Sequence, residues 1–278
     1  MPPVQRITSR NARFQQWESL LANRNKRTRA REFLVQGVRP ISMAVRYGWR
    51  VKALIFDGER KLSQWAEELL RSAEAERVAM APDLLADLGE KGESAPELIA
   101  VIEMPADDLG RLRAGEDFLG VLFDRPTSPG NIGSVIRSAD AFGAQGVIVS
   151  GHAADVYDPK AVRASTGSLF AVPAVRVPSP GEVMGWVRAA GQPIVLVGTD
   201  EKGECDVFDF DFTQPVLLLI GNETSGLSSA WRELCDHTVS IPMTGSASSL
   251  NAANAATAVL YEVSRQRIAA GRPPRQTS

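Results

Sequence analysis

The chain has 278 residues, 44% hydrophobic and 23% charged, with a formal net charge of −2, the proportions of an ordinary globular protein long enough for two domains. No stretch nears the roughly 18 consecutive apolar residues a membrane span needs, and the start of the chain lacks the apolar core of an export signal. Cys205 and Cys235 offer no disulfide framework, and neither His152 nor His237 has a second metal-type ligand at familiar spacing, so the expectation is a cytoplasmic protein with no membrane and no metal.

Charge is distributed unevenly. Residues 1–31 carry Arg6, Arg10, Arg13, Arg24, Lys26, Arg27, Arg29 and Arg31 against the single acid Glu18, so the remainder is acidic. Residues 10–31 read as helix, with Phe14, Trp17, Leu20 and Leu21 spaced as one apolar face. The stretch 1–31 is therefore expected to be a basic helical arm for a polyanion, with Arg24, Lys26, Arg27, Arg29 and Arg31 contacting RNA; a solvated charged helix is the alternative. The short strand Glu32–Gln36, closed by Gly37, opens a region of alternating elements: helix 38–47, strand Val51–Phe56, helix 62–73, strand Val78–Met80, helix 82–88 and strand Leu98–Glu103. Residues 32–105 thus form a small α/β domain, with a loop at 91–96, and residues 106–116, polar and containing Gly110, form a linker.

A second α/β domain is expected over 117–270. Phe118–Phe123 reads as a buried strand, followed by a helix with Ser128 at its N-cap and Pro129 at its first position. Gly146–Ser150, Pro193–Thr199, Pro215–Ile220 and Thr238–Ile241 are further strands, with helices at 179–190, 228–234 and 250–268. Near-continuous Val, Ile and Leu strands between helices indicate a mostly parallel sheet covered on both faces. The tail 271–278 is expected to be disordered.

Three polar loops follow strands of this domain, and in open α/β sheets such loops bind ligands. The first holds Asn131, Gly133 and Arg137. Asn131 and Arg137 are six residues apart, about 120° around a helix, so each is expected to address a different partner or a different part of a substrate, and the planar fork of Arg137 suits phosphate. The second is Gly221-Asn222-Glu223 with Gly226, where Glu223 either accepts from a donor-rich group or caps the helix near 228. The third is Ile241-Pro242-Met243 with Ser249-Leu250-Asn251, in which Ser248 or Ser249 suits a helix cap. The G-x-G-x-x-G, P-loop and G-x-S-x-G signatures are absent, which disfavours a nucleotide-dependent reductase.

Taken together, the pattern Asn131-x-Gly133-x-x-x-Arg137, Gly221-x-Glu223-x-x-Gly226, then Ile241-Pro242-Met243 with Ser249-Leu250-Asn251, resembles the SpoU-type branch of the SPOUT RNA 2′-O-ribose methyltransferases over about residues 118–268. The region from Phe33 to Gly37 onward resembles the ribosomal-protein-like RNA-binding domain fused ahead of such enzymes. The resemblance implies S-adenosyl-L-methionine as methyl donor and a ribose 2′-hydroxyl of large-subunit ribosomal RNA, a uridine, as acceptor. It also implies a homodimer, a C-terminal trefoil knot and a possible role in antibiotic resistance. It places Gly221, Ile241 and Leu250 at the donor through backbone contacts, with Thr199, Met243 and Asn251 nearby, and makes Asn131, Arg137, Glu223, Ser249 and Asn251 the catalytic group. Ala252-Ala253 stand where many relatives have Val-Ser, so the role of that serine hydroxyl is missing. In the family arginine is the proposed base. Two versions stay open: Arg137 takes the hydroxyl proton, or it positions phosphate while another group or water does. A non-catalytic RNA-binding or ribosome-assembly factor on the same scaffold is the competing expectation.

Overall fold

The computed structural model describes residues 4–89 and 95–272. Most of the loop expected at 91–96, and the tail expected at 271–278 apart from its first two residues, lie outside them. The chain divides into two compact units, one running to Pro105 and including Tyr157–Ala171, the other holding Ala106–Val156 and the chain from Val172 onward.

The first unit contains β1 (Val4–Ile7), α1 (Ala12–Ala22), α2 (Arg24–Ala30), β2 (Glu32–Gln36), α3 (Val38–Arg46), β3 (Val51–Asp57), α4 (Gln64–Ser72), β4 (Glu76–Met80), α5 (Pro82–Leu88) and β5 (Leu98–Glu103). Its sheet runs β1-β4-β3-β5-β2, with β1, β4 and β3 parallel and β5 antiparallel to both β3 and β2. β5 lies between two strands and is buried along Leu98–Ile102, which is why it reads as an unbroken apolar run.

The N-terminal stretch is not a free arm. Phe14, Trp17 and Leu20 of α1 are buried in one apolar core with Leu34, Ile55, Val78 and Val101, and β1, a strand with no hydrophobic pattern to announce it, extends the sheet through β4. The apolar face of α1 thus serves burial, and its one basic residue, Arg13, is paired with Glu76. Arg27 is 2% exposed and donates to the Leu20 and Leu21 carbonyls at the end of α1, so it is a structural residue rather than an RNA contact. Arg24, Lys26, Arg29 and Arg31 remain exposed.

The second unit contains β6 (Leu119–Asp124), α6 (Pro129–Ala141), β7 (Gly146–Ser150), β8 (Ala174–Val177), α9 (Pro180–Ala189), β9 (Val195–Thr199), β10 (Cys205–Asp206), β11 (Val216–Ile220), α10 (Ser229–Leu234), β12 (His237–Ser240) and α11 (Ala252–Ala269). The short helices α7 (Pro159–Ser165) and α8 (Ser168–Ala171) intervene in sequence between β7 and β8. They fall inside the domain expected at 117–270 but pack with the first unit. Phe170 and Tyr157 join Phe33 and Trp49 in an aromatic cluster, and the Trp49 indole donates to the Phe170 carbonyl at 3.0 Å. Nor is 106–116 a loose connector: Leu112 is buried in the second unit's core, and Arg111 donates to the Ala174 carbonyl.

The seven strands run β10-β12-β9-β11-β6-β7-β8, and every pairing is parallel. All carboxyl ends therefore share one edge of the sheet. From β6 the chain builds outward through β7 and β8, then returns to place β9, β11 and β12 on the other side. The switch of direction falls between β6 and β11, where a crevice suited to a ligand is expected.

Candidate active site

Four consecutive strands in the sheet, β12, β9, β11 and β6, deliver the loops of this edge. The loop after β6 turns at Arg125, a non-glycine residue with φ of 50°, and enters α6 with Ser128 as N-cap, its hydroxyl accepting from the Asn131 amide. The loop after β11 turns back on itself through an Asn222–Gly226 bridge, with Gly226 at φ of 65°. Gly221 has no room for a side chain, since a Cβ there would lie 2.4 Å from the Gly226 carbonyl carbon and 2.5 Å from the Leu227 nitrogen.

Glu223 joins these two loops. Its carboxylate accepts from the Thr127 amide and hydroxyl, both at 3.0 Å, from the Ser128 amide at 3.1 Å and from the Asn131 side-chain amide at 3.0 Å. It does not cap α10, whose N-cap is Ser228. Burial pushes the Glu223 carboxyl up, but the bonds from Thr127, Asn131, its own amide and Ser128 outweigh that and hold it below the usual carboxylate range. Asn131 in turn accepts at 3.2 Å from Asn251, and Asn251 caps α11 by accepting from the Ala253 and Asn254 amides. Neither Ser248 nor Ser249 is the cap. One residue from each sequence motif thus stands in a single hydrogen-bonded chain, Glu223–Asn131–Asn251.

Beside this chain opens a cavity of about 370 Å³, whose lining includes Thr199, Gly221, Ile241, Met243, Ser249 and Leu250. The volume falls within the range typical of small-molecule sites. Asp200, Glu201 and Glu223 face it together with Lys202 and Arg232, a mixed rim with carboxylates for a cationic group. The Thr199 hydroxyl donates to the Leu219 carbonyl at 3.2 Å, pinning it to the neighbouring strand. Residues at the ends of β11 and β12 and at the start of α11 thus line one space. Arg137 stands apart: it is exposed on α6 and has no partner among the described residues.

Residues that were not among the expected site residues also hold these loops. Asp124, 1% exposed, accepts from the Ser228 amide at 2.8 Å and from Arg125 at 3.2 Å. Arg125 reaches the Gly226 carbonyl, and the Asn222 side chain donates back to the Arg125 carbonyl at 2.7 Å. An acid closing a strand before a helix, and an asparagine inside the Gly221–Gly226 turn, were the available signals. Cys235 is no nucleophile, because burial, with Asp236 and Glu204, pushes its thiol up to about 11. No cluster of three or more potential metal ligands occurs among the described residues, and no helix among them is long and apolar enough to cross a membrane.

Comparison with known proteins agrees with this geometry. Residues 11–100 match the SpoU L30e-like domain and residues 119–261 the SpoU rRNA methylase family. The 23S rRNA (uridine(2479)-2′-O)-methyltransferase of Streptomyces viridochromogenes is 76% identical over 270 residues, covering 96% of this chain and 94% of that protein. The crystal structure of the SpoU methyltransferase AviRb from the same organism, in complex with the cofactor AdoMet, is similar with a TM-score of 0.90 and 77% identity, over 93% of this chain and 99% of that one. An AdoMet-bound rRNA methyltransferase from Sinorhizobium meliloti is similar with a TM-score of 0.81 at 28% identity, over 94% and 98%. With both of its units matched in order, the chain belongs to the SpoU rRNA methylase family.

Proposed function

We propose that this protein transfers the methyl group of S-adenosyl-L-methionine to the ribose 2′-hydroxyl of a uridine in large-subunit ribosomal RNA. The observation that carries the reading is the Glu223–Asn131–Asn251 chain, which assembles the three polar motifs at the mouth of a donor-sized cavity. A bound donor supplies an already activated methyl on a sulfonium, so the protein's part is chiefly alignment. The main chain at Gly221, Ile241 and Leu250 grips the donor, with Thr199, Met243 and Asn251 packing about it. Asn131 and Ser249 orient the acceptor ribose. Arg137 holds the phosphate beside it, and Glu223 acts as a positioning residue that fixes Asn131.

The ribose hydroxyl must lose its proton as the new bond forms. Glu223 is ill suited to take it, because its oxygens already accept five hydrogen bonds, one of them a long one from the Asn222 side chain, and its carboxyl is held below the usual range. The same reading takes in a homodimer, supported by the exposed Leu250, Tyr261 and Ile268 on and beside α11. It also includes a C-terminal trefoil knot, action in the cytoplasm where ribosomes are, and a role in antibiotic resistance. The test is primer extension at low nucleotide concentration on 23S rRNA treated with protein and donor. A new donor-dependent stop at one uridine is expected. Donor binding by calorimetry without any such stop would favour another acceptor, and no donor binding would favour the non-catalytic RNA binder.

A further inference from the structure

We infer that the first unit carries an RNA-phosphate site of its own, a groove at the amino ends of its parallel strands in which Arg77 grips a backbone phosphate. Arg77 lies on β4, between β1 and β3, opposite Val4 and Leu54. Its strand neighbours Val78 and Met80 enter the apolar core with Ile55 and Val101, so alternation directs Arg77 to the other face. There it is 7% exposed, its Nε is buried with no partner, and no described residue forms a hydrogen bond or ion pair with its side chain. A buried guanidinium normally has an acid or carbonyls around it. This one has only the groove, a space of about 1450 Å³ that it lines together with Arg71.

The neighbouring charges do not supply the missing partner. Along the groove Arg13 is paired with Glu76, Lys52 with Glu32 at 3.1 Å, and Arg50 with Glu103 at 3.2 Å. Glu74 is exposed on the connection before β4 and bonds to no described residue. Arg71 commits only its Nε, to the Glu67 carbonyl at 3.2 Å. The charges left unpaired are therefore those of Arg77 and Arg71 against the one carboxylate of Glu74, a surplus of one cation, and a planar fork that lacks a carboxylate is suited to two oxygens of a phosphate. The inference rests on the proposed RNA substrate, whose backbone would bring that phosphate.

The test uses the full-length protein and a 23S rRNA transcript, with affinity measured across a salt series. Arg77→Met is expected to weaken RNA binding about tenfold at low salt and to make the log–log salt slope less negative by about 0.7–0.9. Its thermal midpoint should hold or rise, because an unpaired buried charge has been removed. Donor affinity should stay within twofold. Arg71→Gln, on the exposed rim, should also make the slope less negative and decides the matter if Arg77→Met fails to fold. Wild-type affinity and slope in the folded variants overturn the inference while leaving the methyltransferase reading intact. Failure of the wild type to bind ribosomal RNA overturns both. If inorganic phosphate raises the midpoint of the wild type but not of Arg77→Met, while RNA affinity is unchanged, the groove takes a free oxyanion and the RNA site is refuted.

Discussion

Glu223→Gln isolates the charge of the clamp while keeping its shape. In the wild type one carboxylate oxygen receives the Thr127 amide and hydroxyl, and the other receives Ser128 and Asn131. A glutamine keeps a single acceptor oxygen. Placed toward Ser128 and Asn131, it turns an –NH2 toward Thr127, whose hydroxyl can reverse to accept but whose amide cannot. The remaining bonds fall from charge-assisted to neutral strength and one backbone amide is left without a partner. At a half-buried site that costs the loop about 1–3 kcal/mol. Looser placement of Asn131 is expected to lower kcat about 10²-fold, measured by transfer of labelled methyl to 23S rRNA. The pH dependence has a definite sign. Because the folded carboxyl is held low, its stabilisation is complete above the ordinary carboxylate value of about 4.3 and is lost as pH falls through the lower folded value. The stability gap between wild type and Glu223→Gln should therefore close in acid. A kcat within twofold of wild type, or a gap that does not change with pH, would refute the clamp.

Gly221→Ala places a methyl against the Gly226 and Leu227 backbone, which must move, so donor affinity should fall at least 100-fold by calorimetry; retained binding would exclude Gly221 from the donor site. Replacing Arg24, Lys26 and Arg29 together by alanine should leave the unfolding midpoint in place and lessen the salt slope of RNA binding by about 0.7–0.9 for each phosphate no longer neutralised. Arg27→Ala should do the reverse, destabilising by about 1–3 kcal/mol as the Leu20 and Leu21 carbonyls are deprived of their donor. Arg137→Lys keeps a charge but gives up the planar fork, so kcat/KM should fall at least tenfold with donor affinity unchanged. Near-normal turnover across a pH–rate profile would exclude Arg137 both as base and as phosphate holder.

What could be read from the sequence follows burial. Strands enclosed on both faces, such as Leu98–Glu103 and Gly146–Ser150, are unbroken apolar runs whose ends are legible to the residue. The edge strand β1 has only Ile7 buried, and β10 is two residues long, so neither leaves a hydrophobic pattern to find. Charge counting picks out a basic cluster at the N-terminus but cannot separate Arg27, buried on carbonyls, from its exposed neighbours, because net charge carries no direction. The same limit hides α7 and α8, whose attachment to the first unit depends on Phe33 and Trp49 more than 100 residues away. The motifs are legible as a set because a turn that leaves no room for a Cβ and a helix entered through a cap each restrict residue type locally. Their joining through Glu223 is a contact over 92 residues to Asn131 and has no local trace.

Helix periodicity carries one functional argument through to the structure. Six residues of α6 separate Asn131 from Arg137 by about 120°, and the two side chains have opposite circumstances: Asn131 is tied on both sides, to Glu223 and Asn251, while Arg137 is exposed and bonds to no described residue. A group held by two neighbours is suited to fixing geometry, and one left uncommitted is suited to meeting a ligand that arrives from solvent. Because arginine stays cationic in proteins, its natural counterpart is an RNA phosphate. On the proposed function the donor cavity and α6 then meet the two halves of the reaction from different directions, with Glu223, bonded to Asn131, fixing the distance between them.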